Sequence, residues 1–161
     1  MKEIKMPDIA LIALAACSLL QFGGQLFAVS VVASTIAEAP PRSFAILNGE
    51  YAYNSSIFWD TVPPITSVLF IVALVSNWKN KRRNLILSAL VLYIIAALLA
   101  YLYLGPVFAN MIDSGYSDEI DPLLKKQATR WYYIDWSVWA LGLVASIILL
   151  FALTRPWKNT N

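Results

Sequence analysis

Histidine is absent from this 161-residue chain, and cysteine occurs once, at Cys17. Zinc sites draw on histidine and cysteine, iron–sulfur clusters usually need several cysteines, and a dithiol–disulfide relay needs two thiols. Carboxylates, the remaining candidate metal ligands, are scattered over stretches that lie far apart in the sequence. We therefore expect no metal, haem, flavin or other cofactor, and we interpret Cys17 as a small packing residue in an apolar helix.

Charged residues are also scarce. They make up 14% of the chain against 59% hydrophobic residues, whereas a soluble domain carries roughly 25% charged residues. Runs of about 18 or more mostly apolar residues can cross the hydrocarbon core of a bilayer as helices. The chain leaves no room for a separate soluble domain, and we expect no nucleic-acid partner. We predict one all-α integral membrane domain over residues 1–161, an up-down bundle of four helices in contact with the lipid bilayer.

The predicted spans are four apolar segments, at about residues 9–36, 57–78, 85–112 and 128–153. Pro40 and Pro41 end the first segment, because proline cannot continue a helix. Pro63 and Pro64 lie near the start of the second, where they fit a first turn or a kink. The first segment is much longer than the apolar core of a cleavable signal peptide, roughly 7–15 residues, so we interpret it as a retained span.

Lysine and arginine divide unequally between the two ends of such a bundle. The end that holds both termini and the hairpin at residues 79–84 carries eight: Lys2, Lys5, Lys79, Lys81, Arg82, Arg83, Arg155 and Lys158. The other end carries four: Arg42, Lys125, Lys126 and Arg130. Short loops rich in lysine and arginine stay in the cytoplasm. We therefore predict that both termini are cytoplasmic, with the protein in the bacterial inner membrane.

Residues 129–139 open the fourth segment with an arginine, a carboxylate and five large aromatic side chains. Arg130 can reach the headgroup level, where arginine snorkels and aromatic residues anchor helices. Asp135 lies roughly 7–8 Å deeper, because a helix rises about 1.5 Å per residue. A carboxylate at that depth is costly unless it is paired, hydrated or protonated. Asp135 is therefore the leading candidate for function, paired with Arg130, with Arg42 or with a proton.

Polar side chains of all four segments fall at one depth, in the half of the bundle away from the termini. The other half is almost wholly apolar, so packing alone does not require this arrangement. We predict a cavity at that level, with Asp135 facing inward and Arg130, about 140° round the helix, at the rim. Its predicted lining is Gln21, Gln25, Asp60, Asn110, Tyr132 and Asp135. With Asp135 as the candidate base, the candidate substrate-binding residues are Gln21, Gln25, Asp60, Asn110, Arg130, Trp131, Tyr132 and Trp136.

Structural interpretations of these candidates are also open. Asp60 suits the first turn of a helix, where the macrodipole favours a carboxylate. Gln21 and Gln25, four residues apart, suit hydrogen bonds between helices. Gly23 and Gly24 beside them permit close approach of a neighbouring helix or a ligand. The tryptophans and tyrosines of the fourth segment suit an interfacial aromatic belt.

Three short motifs resemble those of the anthrone-oxygenase-like family, a group of small four-helix membrane proteins. They are residues 24–32 (GQLFAVSVV), residues 104–110 (LGPVFAN) and the pair Arg130-Trp131. The resemblance implies a four-helix membrane fold and, from the fungal members, oxidation of an anthrone to an anthraquinone by dioxygen without a metal or organic cofactor. Where family members commonly carry a histidine and then an arginine, this chain has Asp135 and Val138. Asp135 would then replace the histidine as base.

Functions of different classes fit these observations. The first is a cofactor-independent oxygenase, or a related enzyme, that acts on a lipophilic aromatic or quinone-like compound. Gln21, Gln25 and Tyr132 would orient its oxygen, and Trp131 and Trp136 would stack on its ring. The second is a non-catalytic membrane subunit or small-ligand-binding protein, whose polar layer would face a second copy or a partner membrane protein. The third, a proton or ion path, is weaker because the apolar half contains no titratable chain.

Overall fold

A computed structural model describes residues 5–155 of the chain. The fold is all-α, with no β-strand among these residues. Its long helices are α1 (Met6–Glu38), α2 (Ser56–Ser76), α3 (Arg82–Ile112) and α4 (Pro122–Thr154). Each is long and apolar enough to cross a membrane, which confirms the predicted fold class and the presence of four long apolar helices. Lys2 and Lys158, two of the eight cations in the orientation argument, lie outside the described residues.

The largest boundary error in the prediction concerns α4, which begins at Pro122 rather than near residue 128. The Asp121 carboxylate caps the helix by accepting hydrogen bonds from the backbone N–H groups of Leu123 (2.8 Å) and Leu124 (3.3 Å). Asp followed by Pro at the first helical position is a typical helix start. The hydropathy pattern misses this start because Lys125 lies in the first turn, exposed to solvent.

The helices run in alternate directions, so the predicted up-down arrangement is confirmed. Arg82, at the start of α3, donates a hydrogen bond to Asp8 near the start of α1 (2.5 Å) and another to the Arg155 carbonyl that follows α4 (2.8 Å). Asn77, just after α2, donates to the Pro7 carbonyl (3.3 Å). We call this the terminal end. The opposite end, which carries the connections at residues 39–55 and 113–121, is the loop end.

Two glycines bring neighbouring helices together. A Cβ atom on Gly142 of α4 would collide with the Phe22 ring of α1, and one on Gly24 of α1 would collide with the Phe58 ring of α2. The expectation of a close helix approach is thus confirmed for Gly24. It is wrong for Gly23, whose Cβ would meet open space.

Separate hydrophobic clusters fill the two halves of the bundle. The terminal-end cluster takes residues from all four helices, among them the fully buried Leu11, Phe70 and Leu149. Tyr93 of α3 lies at the boundary of this cluster that faces the loop end, and its ring centroid is 4.9 Å from that of Phe70. The second cluster, nearer the loop end, is built around the outer parts of α1, α3 and α4. The candidate site lies within this second cluster.

Both α1 and α3 widen into a π-helical segment in the loop-end half, at Ala28–Ala33 and at Ala100–Leu104. Pro106 explains the segment in α3, because proline donates no hydrogen bond and its ring crowds the preceding turn. The sequence of α1 contains no comparable cause. π-Helical segments are rare in proteins, and those that do occur frequently lie at functional sites.

The connection between α1 and α2 folds back over the loop end. It contains a short 3₁₀ helix, Arg42–Leu47, with Phe44 buried in the second cluster. The Tyr53 N–H donates to the Ile46 carbonyl (2.9 Å), and the Asp121 N–H donates to the Pro40 carbonyl (3.1 Å). The first bond folds the 39–55 connection onto itself, and the second joins it to the 113–121 connection.

Candidate functional site

A cavity of about 470 Å³ lies in the loop-end half of the bundle. The sequence predicts a cavity at this level, and the structure contains one. Both π-helical segments contribute to its wall, together with α4, the start of α2 and the connection before it. Its aromatic wall residues are Tyr53, Trp59, Phe108 and Trp131. Its polar wall residues are Gln25, Asn54, Ser55, Ser56 and Asp135.

Asp135 is the central polar group of this cavity. Its side chain is buried, with 6% of its surface exposed. Gln25 Nε2 donates a hydrogen bond to Asp135 Oδ1 at 2.6 Å, which joins α1 to α4. Asp135 Oδ2 accepts no hydrogen bond from residues 5–155, yet it is not among their fully enclosed unpartnered atoms. The second carboxylate oxygen is therefore accessible where Asp135 lines the cavity.

No lysine or arginine among residues 5–155 forms a salt bridge with Asp135. Of the alternatives that the sequence leaves open, pairing with Arg130 or Arg42 of the same chain is therefore not what the structure contains. Both arginines are exposed. The inward orientation predicted for Asp135 is confirmed, whereas Arg130, predicted at the cavity rim, lies on an outer surface beside Lys126 and does not line the cavity. Among residues 5–155, Asp135 is the one charged residue that lines the cavity.

Two stacked rings form a flat part of the cavity wall. The ring centroids of Trp131 and Phe108 lie 5.3 Å apart, with 16° between the ring planes. Trp131 Nε1 donates to the Leu104 carbonyl at 3.1 Å and so fixes the indole against the π-helical segment of α3. Trp59 adds a third ring from α2. These faces suit the flat body of an aromatic ligand.

The two glutamines of α1 have different surroundings. Gln25 lines the cavity, whereas Gln21, one turn nearer the terminal end, is buried beside Tyr93. The Tyr93 hydroxyl lies 3.4 Å from Gln21 Oε1 and donates a shorter hydrogen bond, 3.1 Å, to the Pro63 carbonyl. This polar cluster links α1, α2 and α3 on the terminal-end side of the cavity. Gln21 thus fits the interpretation of a packing residue, and its predicted place in the cavity lining is wrong.

Five other predicted substrate-binding residues also lie outside the cavity wall, among them Arg130 on the outer surface described above. Asp60 and Asn110 are exposed on the outer faces of α2 and α3. Tyr132 borders a surface groove between α1 and α4, and Trp136 packs edge-on against Tyr132 and Trp139. Each residue turns a helix by about 100°, so Tyr132 and Trp136 are rotated away from their inward neighbours at 131 and 135. The aromatic-belt interpretation fits these two residues better than stacking on a substrate.

Several wall residues escape prediction. Tyr53 lies just before α2 and Trp59 lies in its first turn. The hydropathy pattern does not indicate that this stretch folds over the loop end, so it does not predict that either residue lines the cavity. Phe108 lies inside the 104–110 motif, and that motif was the one feature of the sequence that could have identified Phe108 as a candidate. The π-helical segments have no clear sequence signature, and they place Ala100 and Leu104 on the cavity side of α3.

The arrangement supplies one accessible carboxylate oxygen at the wall of a largely apolar chamber. Such an oxygen can accept a proton or a hydrogen bond, or pair with a cation. The Gln25 amide fixes the orientation of the carboxylate through its other oxygen. Within the described range, 5–155, no three His, Cys, Asp or Glu side chains group together so as to hold a metal ion.

Known proteins give no further guide to this site. Comparisons of the chain with protein-family models, with curated proteins and with solved structures find no match.

Proposed function

We propose that the protein binds a lipophilic aromatic or quinone-like compound in the cavity and that Asp135 removes a proton from it, in a cofactor-independent oxygenation or a related reaction. One observation carries this proposal: the buried Asp135 carboxylate, held by Gln25 and without a salt bridge, lines a cavity whose other wall residues are mostly aromatic or apolar. A general base must reach the proton that it abstracts, and an accessible oxygen meets this condition.

The chemistry balances with dioxygen as the oxidant. For an anthrone, Asp135 takes a proton from the ring methylene and leaves a carbanion delocalised into the ketone. Dioxygen accepts the electrons of this carbanion and forms a hydroperoxide at the same carbon, with the proton returned from Asp135. Loss of water then yields the second carbonyl of the anthraquinone. One oxygen atom remains in the product, and the other leaves as water.

We expect purified protein in detergent micelles to accelerate the conversion of anthrone to anthraquinone beyond the rate in protein-free micelles. Asp135→Asn should reduce this acceleration by about 10²-fold or more, the range of general-base contributions. Asp60→Asn is the matched control, because Asp60 is an exposed carboxylate outside the cavity. The measurements are oxygen uptake and anthraquinone absorbance, with an anaerobic sample as blank.

Equal acceleration by the wild type and Asp135→Asn would exclude Asp135 as the base. A loss of activity in both Asp135→Asn and Asp60→Asn would point to a general effect of charge or folding, and would also count against the proposal.

A second candidate is a non-catalytic subunit or small-ligand-binding protein. It is favoured by the absence of lysine and arginine from the cavity lining, because a carbanion formed there would have no cation to stabilise it. This candidate predicts that a lipophile is retained by the purified protein without turnover. Mass spectrometry of solvent extracts, combined with the anthrone assay, separates the two functions.

We also propose that the terminal end faces the cytoplasm of a bacterial inner membrane. The described cations of that end include Lys79, Lys81, Arg82 and Arg83 in one short hairpin. Their density supports cytoplasmic retention under the positive-inside rule. The cavity would then lie in the outer half of the membrane.

The orientation can be tested with single cysteines in a Cys17→Ser background. Lys81→Cys and Ser117→Cys place the thiol at exposed positions at opposite ends of the bundle, whereas the neighbouring Asn80 is buried. We expect a membrane-impermeant maleimide to label position 117 in intact cells and position 81 only after permeabilisation. Labelling of position 81 from outside would reverse the proposed orientation.

A further inference from the structure

We infer that the cavity selects organic monocations with a flat aromatic body, such as lipophilic amines and N-alkylated heteroaromatic cations, over neutral molecules of the same shape. The inference rests on the proposed function in one respect, namely that a ligand occupies the cavity beside Asp135. It goes beyond that function by naming a further class of ligand, which Asp135 would bind as a counter-ion rather than deprotonate.

Charge is the first argument. The cavity lining contains Asp135 and no lysine or arginine, and no salt bridge within residues 5–155 neutralises this carboxylate. A charged group buried without a partner is costly, and an apolar surrounding strengthens its attraction for an opposite charge. Arg130 and Arg42 are exposed and unpaired with Asp135, so they offer no internal substitute. A positively charged ligand can therefore supply the counter-ion that Asp135 lacks among these residues.

Geometry is the second argument. Gln25 occupies Asp135 Oδ1 and leaves Oδ2 accessible, so a cation can approach without breaking the bond between α1 and α4. Trp131, Phe108 and Trp59 present aromatic rings in the same wall. The faces of such rings attract cations, most strongly those of tryptophan. Carboxylate and rings thus favour the same type of ligand.

The apolar wall decides between organic and inorganic cations. A small hydrated ion would have to lose its water to a lining dominated by residues such as Val32, Ile36 and Leu104. Among the described residues that line the cavity, Asp135 is the only carboxylate, and residues 5–155 contain no grouped set of metal-ligating side chains. A cation whose charge is spread over an aromatic ring loses less hydration. The volume of about 470 Å³ can hold a three-ring molecule.

A matched pair of three-ring probes isolates the charge. N-methylacridinium is a fluorescent monocation, and N-methylacridone is a neutral molecule of nearly the same shape. Binding of both would be measured by fluorescence titration of the full-length protein in uncharged detergent micelles, with protein-free micelles as blank. The variants are Asp135→Asn and, as the control, Asp60→Asn, which removes an equal charge at an exposed position outside the cavity.

We expect the wild type to bind the cation at least about tenfold more tightly than the neutral probe, the scale of a partly buried charge pair. Asp135→Asn should remove this preference and retain binding of N-methylacridone, whereas Asp60→Asn should keep it. Equal affinities of the wild type for the two probes, or a preference that survives Asp135→Asn, would overturn the inference and leave the proposed cavity function standing. Failure of both probes to bind the wild type would count against the cavity as a ligand site, and so against both proposals.

Discussion

Arg82→Met is expected to lower the free energy of unfolding by about 2–4 kcal/mol, because it removes the residue that joins three chain segments at the terminal end. The Arg82 side chain is buried and bonds to Asp8 and to the Arg155 carbonyl. Methionine fills much of the volume but leaves the Asp8 carboxylate without its partner. The side chain of Asp8 is 25% exposed, so water recovers part of the lost interaction and the effect falls below that of a fully buried pair.

Thermal unfolding in detergent, followed by circular dichroism, measures this effect. Lys81→Met is the matched control, since it removes the adjacent cation from an exposed position and should change the midpoint little. Asp8→Asn should be milder than Arg82→Met, because the amide oxygen can still accept from Arg82. Equal midpoints for Arg82→Met and Lys81→Met would show that the buried pair contributes nothing to stability.

Gly142→Ala is expected to destabilise the bundle by about 1–3 kcal/mol, the range for overpacking a filled interior. The new Cβ atom would overlap the Phe22 ring, so α1 and α4 would have to move apart or the ring would have to change rotamer. Gly23→Ala is a strict control, because it is also a helical glycine and its Cβ would meet no atom within 4 Å. Alanine favours a helix over glycine by about 1 kcal/mol, so Gly23→Ala should be neutral or stabilising.

A second-site change distinguishes the clash from other causes. Phe22→Leu in the Gly142→Ala background should recover part of the lost midpoint, because leucine withdraws the ring atoms that the Cβ would meet. The two changes should therefore be non-additive, as expected of residues in contact. Additive losses would mean that the Phe22 ring is not what limits the space at position 142.

The sequence was sufficient for the membrane fold because hydropathy and length act over whole segments. A run of about 18 apolar residues has few alternatives to a spanning helix, and alternating directions follow from short connections. The inward position of Asp135 was also predictable, since a carboxylate against lipid is costly. The same argument applied to Gln25, which the structure brings to Asp135 within hydrogen-bonding distance.

The composition of the cavity wall was less predictable because depth does not determine rotation. Asp60 and Asn110 occupy polar positions near the loop end, yet they face outward, where headgroups or water can satisfy them. The π-helical segments add a further shift, since a widened turn changes the direction of every side chain beyond it. A regular helix extrapolated from the sequence cannot include that change. The fold of residues 39–55 over the loop end likewise depends on tertiary contacts.

The packed core below Tyr93 has an electrical consequence. Leu11, Phe70 and Leu149 are fully buried there, between the cavity and the terminal end. Under the proposed function, we expect a proton or cation that reaches Asp135 from the loop end to leave by the route it took, without passage across the bilayer. A full crossing would couple to the membrane voltage by about 2.3 kcal/mol per elementary charge at 100 mV. A complete cycle of binding and release at Asp135 should consequently move no net charge across the membrane.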